Sequence, residues 1–225
     1  LSEGVRLGRF LVDRFDRVVV HGGDGDDVID ASELDKTVAV EIVGGAGDDA
    51  LAGGSSGDTL DGGDGDDQLT GGAGDDTFIF GASAAANGSD TIADFTAGTS
   101  EDVLKLGAFL DGGVTAATAN LGLTASSANV ALADDNVYVM NLAGNITGND
   151  YGGDDFADIF GAGNGQFNTD FADTNEAVVV VKGADVSQVY FVEDPGEGNT
   201  IDAAEVSLVG TLTVDGTFVS GNFIA

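Results

Sequence analysis

Large apolar residues mark this chain at a spacing suited neither to an ordinary strand nor to a helix. Ile29, Leu51, Leu60, Leu69 and Phe78 each hold the eighth place of a nine-residue segment, flanked by residues that point the other way in an extended strand. Such strands are very short, and the core they make is thin. Between the first and second segments, Ala31–Val43 reads as an insertion whose Thr37–Val43 stretch alternates as a strand would. Asn87–Leu106 loses the nine-residue period, keeps short apolar pairs between Gly and Asp, and reads as a closing segment. Beyond Asp111 the chain turns Ala-, Thr- and Asn-rich. Strands are expected at Val137–Met140, Ala177–Val181, Val189–Val192 and Val206–Leu212, with one short helix at Asp154–Phe160. That stretch predicts a separate, mostly antiparallel β domain. Residues 1–21 support two readings: Leu7, Phe10, Leu11, Phe15 and Val18 fit a helical stripe, while Arg17–Val20 looks like a strand.

Aligned on Gly-Gly, the nine-residue segments are Gly22–Asp30, Gly44–Ala52, Gly53–Asp61, Gly62–Thr70 and Gly71–Ile79, the last four contiguous. Their first six positions form a turn and their last three a short strand. Glycine at the second and fourth positions lets the backbone take positive φ and bring carbonyl oxygens toward an ion. Those positions are Gly23 and Gly25, Gly45 and Gly47, Gly63 and Gly65, and Gly72 and Gly74. The third repeat keeps Gly54 but has Ser56 at the fourth position and Gly57 at the fifth. The sixth position is always aspartate: Asp27, Asp49, Asp58, Asp67 and Asp76, with Asp24 and Asp64 added at the third position of two repeats. Carboxylate and carbonyl oxygens at a fixed phase make the ligand set of Ca²⁺ and serve soft metals poorly. Stacked aspartates repel one another, and a metal between turns removes that repulsion, so the segment is expected to be disordered without Ca²⁺ and ordered with it.

The charge agrees with this chemistry. Forty acidic residues against seven basic ones leave a formal net charge of −33, which would repel nucleic acid and anionic lipid and attract a divalent cation. With no cysteine, no disulfide or thiolate metal site can brace the loops. No apolar run is long enough to span a membrane, and no cleavable N-terminal signal is visible, so the sequence reads as a piece of a longer chain. Four of the seven basic residues, Arg6, Arg9, Arg14 and Arg17, precede Val18, which places a composition boundary near His21.

Gly22–Ile79 resembles the GGxGxDxUx repeat of calcium-binding RTX proteins, and Ser89–Leu106 looks like the segment that closes their rolls. The resemblance implies an all-β fold, a right-handed parallel β-roll in which two nonapeptides complete one turn. It also implies an ion held between a repeat and the next but one. Carried over, Gly44–Ala52 shares Ca²⁺ with Gly62–Thr70 on one edge, Gly53–Asp61 shares with Gly71–Ile79 on the other, and Asp90 completes a terminal site. The degenerate third repeat and the insertion set Asp58 and Asp27 apart from that scheme. The family further implies export by type I secretion machinery that reads an uncleaved C-terminal signal, with which the ending VDGTFVSGNFIA is compatible. The tail 177–225 resembles the C-terminal regions of large RTX surface proteins of S-layer or adhesin type.

Other candidates have blander readings. Asp194–Glu205 has EF-hand spacing, with Asp194, Asp202 and Glu205 as possible weak ligands, but its third and fifth places are Gly196 and Gly198, and an acidic hairpin loop is the favoured reading. Asn149–Asp158 reads as a solvated acidic face rather than an ion site. Gly53–Gly57 spells G-x-S-x-G, yet Ser55 lies in the repeat frame and His21 is the only histidine, so neither a hydrolase centre nor an HExxH zinc site is expected. No GK[ST] phosphate loop is present. The N-terminal arginines are expected either to pair with aspartates of the roll or to mark an assembly contact.

These readings together predict a lead-in at 1–21, a roll at 22–80, a closing cap at 81–110, and a C-terminal β domain with a secretion signal at 111–225. The expected function is that of a non-catalytic, Ca²⁺-dependent structural and secretion module of an extracellular or cell-surface bacterial protein. Self-assembly or surface anchoring, in a surface layer or adhesin, is its expected use. The alternative is the same module attached to a secreted protease or lipase whose catalytic domain lies upstream.

Overall fold

Glycine turns between very short strands send the chain alternately into two sheets that face each other across a thin core. In the computed structural model the described residues are 5–6, 17–34, 38–81, 83–99, 101–106, 110, 116–121, 130–132, 136–141, 167–169, 175–183, 186–194 and 206–224. The roll strands are β1 (Val5–Arg6), β2 (Arg17–Asp24), β3 (Val28–Asp30), β4 (Ala39–Ala46), β5 (Ala50–Ala52), β6 (Thr59–Asp64), β7 (Gln68–Thr70), β8 (Thr77–Ile79), β9 (Asp90–Ala97) and β10 (Val103–Lys105). The even-numbered ones enter one sheet and the odd-numbered ones the other, all paired in parallel. A single helical turn, α1 (Ala84–Asn87), is capped by the Ser83 hydroxyl, which accepts from the Ala86 N–H, and lies between β8 and β9.

Stacking in register turns the eighth-position residues into two apolar columns. Ile29 lies beside Leu51, Leu51 beside Leu69 and Leu69 beside Ile92; on the facing sheet the order is Ile42, Leu60, Phe78, Leu104. All eight are buried. Withdrawing each from water contributes roughly 2 kcal/mol.

The stretch read as an insertion is part of the roll. Val38, Val40 and Ile42 are buried, and β4 pairs with β2 on one side and β6 on the other. Residues 38–43 thus take the strand place of a nonapeptide without its glycines. The extra length before them is why matched residues there lie 22 apart rather than 18. The strand reading holds at Arg17–Val20, which belongs to β2 and continues through His21; the helical stripe Leu7–Phe15 lies outside the described residues. Arg17 pairs with Glu41 across β2 and β4, an acidic residue of a strand rather than an aspartate of a turn.

The C-terminal strands are β11 (Ala116–Leu121), β12 (Val130–Leu132), β13 (Asn136–Asn141), β14 (Phe167–Thr169), β15 (Asn175–Lys182), β16 (Val186–Asp194), β17 (Val206–Gly216) and β18 (Phe223–Ile224). All four sequence-expected strands are present. Antiparallel pairing joins β15 to β16 and β16 to β17, where the connection from β15 is short. The other pairs, β11 with β13, β13 with β15 and β12 with β14, are parallel, a departure from the antiparallel expectation that the longer connections permit. β17 adds to β9 in parallel, and β18 adds to β10, so these strands extend both sheets of the roll. Phe218 bridges the junction, with its ring 5.7 Å from Phe95 and 5.5 Å from Phe223. The helix expected at Asp154–Phe160 lies outside the described residues. Among the described residues, no helix is long and apolar enough to cross a membrane.

Candidate metal centre

Two rows of aspartates run along the two edges where the chain passes between sheets. On the first edge lie the turns Gly22–Asp27, Gly44–Asp49 and Gly62–Asp67, followed by the closing segment that ends at Asp90. Each sixth-position carboxylate reaches back to hold the turn before it. The Asp27 N–H donates to Asp49 Oδ1 at 2.7 Å, the Asp49 N–H to Asp67 Oδ1 at 2.8 Å, and the Asp67 N–H to Asp90 Oδ1 at 3.2 Å. The second oxygens, Oδ2 of Asp27, Asp49 and Asp67, are buried and accept no hydrogen bond. A buried carboxylate oxygen without a donor is costly, and a cation between turns supplies what the protein does not.

The glycines of this edge are required by contact as well as by φ. Gly45 has φ +127°, and a Cβ there would collide with the Gly23 carbonyl; Gly63, at φ +104°, stands in the same relation to Gly45. At first-position Gly44 and Gly62 a Cβ would collide with Oδ2 of Asp49 and Asp67. A second, exposed row of opposite sense accompanies the buried one. Asp26 Oδ1 accepts from the Asp48 N–H at 3.1 Å, Asp48 Oδ1 from the Asp66 N–H at 3.0 Å, and Asp66 Oδ1 from the Ser89 N–H at 2.8 Å. Asp24 and Asp64 stand exposed on this same edge, in register through Ala46.

The second edge has the same reach-back bonds and a different ending. The Val40 N–H donates to Asp58 Oδ1 at 2.8 Å, the Asp58 N–H to Asp76 Oδ1 at 2.7 Å, and the Asp76 N–H to Asp102 Oδ1 at 2.8 Å. Here, however, Asp58 Oδ2 accepts from the Gly54 N–H at 2.5 Å and Asp102 Oδ2 from the Thr96 N–H at 2.7 Å. The amides of Gly71 and Gly72 are taken by the two oxygens of Asp94, at 3.0 and 2.8 Å.

Burial is the first cause of the electrostatics. It pushes the carboxyl of Asp67 up to about 6, that of Asp76 to about 7 and that of Asp90 to about 8, against the lowering effect of the amides that donate to them. Neighbouring aspartates add to each rise. Asp49, Asp58 and Asp102 are raised as well, again first by burial. A cation reverses both causes by replacing lost hydration and cancelling repulsion. Among the described residues, no three acidic or histidine side chains close round one point. An ion here therefore needs backbone carbonyls beside its carboxylates, the mixed oxygen set that Ca²⁺ accepts.

The sequence-derived set divides between the two edges. Gly23, Gly25, Asp27, Gly45, Gly47, Asp49, Gly63, Gly65, Asp67 and Asp90 come together on the first edge, and Gly54, Asp58, Gly72, Gly74 and Asp76 on the second. Gly72 and Gly74 have positive φ, whereas Gly54, in the degenerate repeat, does not. Asp194 closes β16, and Asp202 and Glu205 lie outside the described residues, as does Asn149–Asp158. Reasoning from the repeat missed Asp102, Asp94 and Asn87. Asp102 and Asp94 lie in the closing segment without the Gly-Gly frame that marks a repeat aspartate, and nothing local distinguishes Asn87 from a loop asparagine.

Comparison with known proteins agrees with this geometry. No curated protein shows a significant match to the chain. Residues 12–33 and 43–78 match the RTX calcium-binding nonapeptide repeat in four copies, leaving out the first half of the strand that the structure nevertheless folds as β4. The chain thus carries RTX calcium-binding nonapeptide repeats wound into a parallel β-roll, and the cofactor of these repeats is Ca²⁺.

Proposed function

We propose that this chain is a non-catalytic module that folds on Ca²⁺ outside the cell, and that it serves the secretion and extracellular structure of a larger bacterial protein. The observation that carries the reading is the stack of three buried, unpartnered carboxylate oxygens at Asp27, Asp49 and Asp67. Without a cation these charges disfavour the fold that brings them together; with one, the same contact becomes its cross-link. Scarce Ca²⁺ in the cytosol then leaves the chain unfolded for type I export, and abundant Ca²⁺ outside folds it. Ser55 of the G-x-S-x-G stretch lies in a second-edge turn, and His21 lies on β2, toward the first edge.

The finer reading is a surface-layer or adhesin module, organised as roll 22–80, closing cap 81–110 and C-terminal β region 111–225. It is supported by the regular roll and by the resemblance of the tail to RTX surface proteins. Metal ligands on the first edge would be Asp27, Asp49, Asp67 and Asp90 with carbonyls of the intervening glycine turns.

Far-UV circular dichroism of the chain in chelator, titrated separately with Ca²⁺ and Mg²⁺, tests the module reading. A cooperative gain of β signal with Ca²⁺ and little with Mg²⁺ is expected, because Mg²⁺ demands a stricter octahedron and dehydrates reluctantly. A β signal already complete in chelator would sink it. Light scattering in millimolar Ca²⁺ tests surface assembly; monomers alone at high protein concentration would count against it.

A further inference from the structure

The two edges of the roll differ in how their carboxylates are satisfied. Both have the reach-back bond from Oδ1 to the preceding turn, so the difference lies in Oδ2. On the first edge Oδ2 of Asp27, Asp49 and Asp67 is buried with no donor, and only Oδ2 of the terminal Asp90 meets one, the Asn87 side chain; on the second, backbone amides at Gly54 and Thr96 occupy Oδ2 of Asp58 and Asp102. An amide hydrogen bond there does for the charge what a cation does on the other side.

Backbone shape points the same way. Three successive first-edge turns carry positive-φ glycine at both the second and fourth positions, which presents their carbonyls at one repeated phase. The second edge repeats that geometry only at Gly72 and Gly74. The turn before it has Ser56 in place of the fourth glycine, and the coil before that puts Val40 where the aspartate would be. A gap between Val40 and Asp58 therefore has one carboxylate, and that carboxylate is already saturated by two amides.

We infer that the roll loads Ca²⁺ along one edge only, in the gaps Asp27/Asp49, Asp49/Asp67 and Asp67/Asp90, and that on the opposite edge the amides held by Asp58 and Asp102, on either side of Asp76, stand in place of metal. This rests on the Ca²⁺-binding reading above and adds to it a direction: the metal cross-links one side of the roll, and the other side is held whether or not metal is present.

Counting bound Ca²⁺ by native mass spectrometry, with the Ca²⁺ midpoint of folding measured alongside, tests the inference on the full chain and two matched variants. Asp49→Asn and Asp76→Asn each change the middle aspartate of a row, and in each the Oδ1 that accepts from the preceding turn is retained as the amide oxygen. Three ions or fewer are expected on the unaltered chain. Asp49→Asn should lose the ions of both gaps it borders and raise the midpoint about tenfold or more. Asp76→Asn should keep the full ion count, with no rise in midpoint. More than three ions on the unaltered chain, or an ion lost in Asp76→Asn, would overturn one-edge loading and leave Ca²⁺ binding intact. No ion on the unaltered chain would overturn the Ca²⁺-binding reading itself. Should Asp49→Asn fail to fold, the ion count of the unaltered chain and the Asp76→Asn result still decide.

Discussion

Asn87 ties the last aspartate of the first row to the C-terminal strands: its Nδ2 donates to Asp90 Oδ2 at 3.0 Å and to the carbonyl of Val209 at 3.1 Å. Its Oδ1 accepts from the Gly81 N–H, and the side chain is fully buried. Removing it leaves a carboxylate oxygen, a carbonyl and an amide without their partner. Asn87→Ala should lower stability in saturating Ca²⁺ by about 2 kcal/mol, read as a shifted urea midpoint; an unchanged midpoint would mean that solvent replaces these bonds at no cost.

Asn222 plays the corresponding part at the end of the second row. Its Nδ2 donates to the Asp102 carbonyl at 2.7 Å and its Oδ1 accepts from the Val219 N–H at 2.8 Å, which sets β18 against β10. Asn222→Ala should cost about 2 kcal/mol. Hydrogen exchange should quicken at the Leu106 amide, which donates to the Ile224 carbonyl, before it quickens at Leu51 or Leu69 in the middle of the roll. Uniform quickening would show instead that the roll and β18 open as one unit.

Glycine substitutions separate close approach from mere glycine content. Gly45→Ala places a Cβ on the Gly23 carbonyl at a backbone φ of +127°, whereas a Cβ at Gly221 meets nothing within 4 Å. Gly45→Ala should raise the Ca²⁺ midpoint of folding several-fold or more, while Gly221→Ala leaves it unchanged. Equal midpoints in a circular dichroism titration would mean that the turn relaxes without cost.

Acid should partly stand in for metal. The carboxyls of Asp67, Asp76 and Asp90 sit at about 6, 7 and 8 in the folded chain, above the ordinary carboxylate value, so the folded state binds protons that the unfolded state has released. Raised values of this kind stabilise the fold fully below the ordinary carboxylate range. That stabilisation is lost as pH climbs through 6 to 8. In chelator, β signal should therefore grow as pH falls from 8 to 5, and the Ca²⁺ still needed to complete folding should fall over the same interval. A chelated chain equally unfolded at pH 8 and pH 5 would contradict this.

Much of the roll was legible because its information is local. The nonapeptide places glycine, aspartate and an apolar residue at fixed phase, and any chain with that pattern turns at the glycines and buries the eighth position. The same phase was present in less obvious form: Val20 precedes Ile29, and Ile42 precedes Leu51, by nine residues, which marks β2 and β4 as coils of the roll despite their missing glycines. Asp90 was legible as a terminal carboxylate, whereas Asp102 was hidden because the closing segment abandons the repeat frame.

By itself, then, the sequence determined the turn chemistry, the ligand type and the two apolar columns, all set by residues within nine of one another. Tertiary structure decided which aspartates share an edge and which of their oxygens meet an amide. It also decided that Val209 and Asn222 close the roll, through contacts spanning 122 and 120 residues. Those outcomes depend on strand register across both sheets, and register is a property of the assembled stack that no single repeat contains.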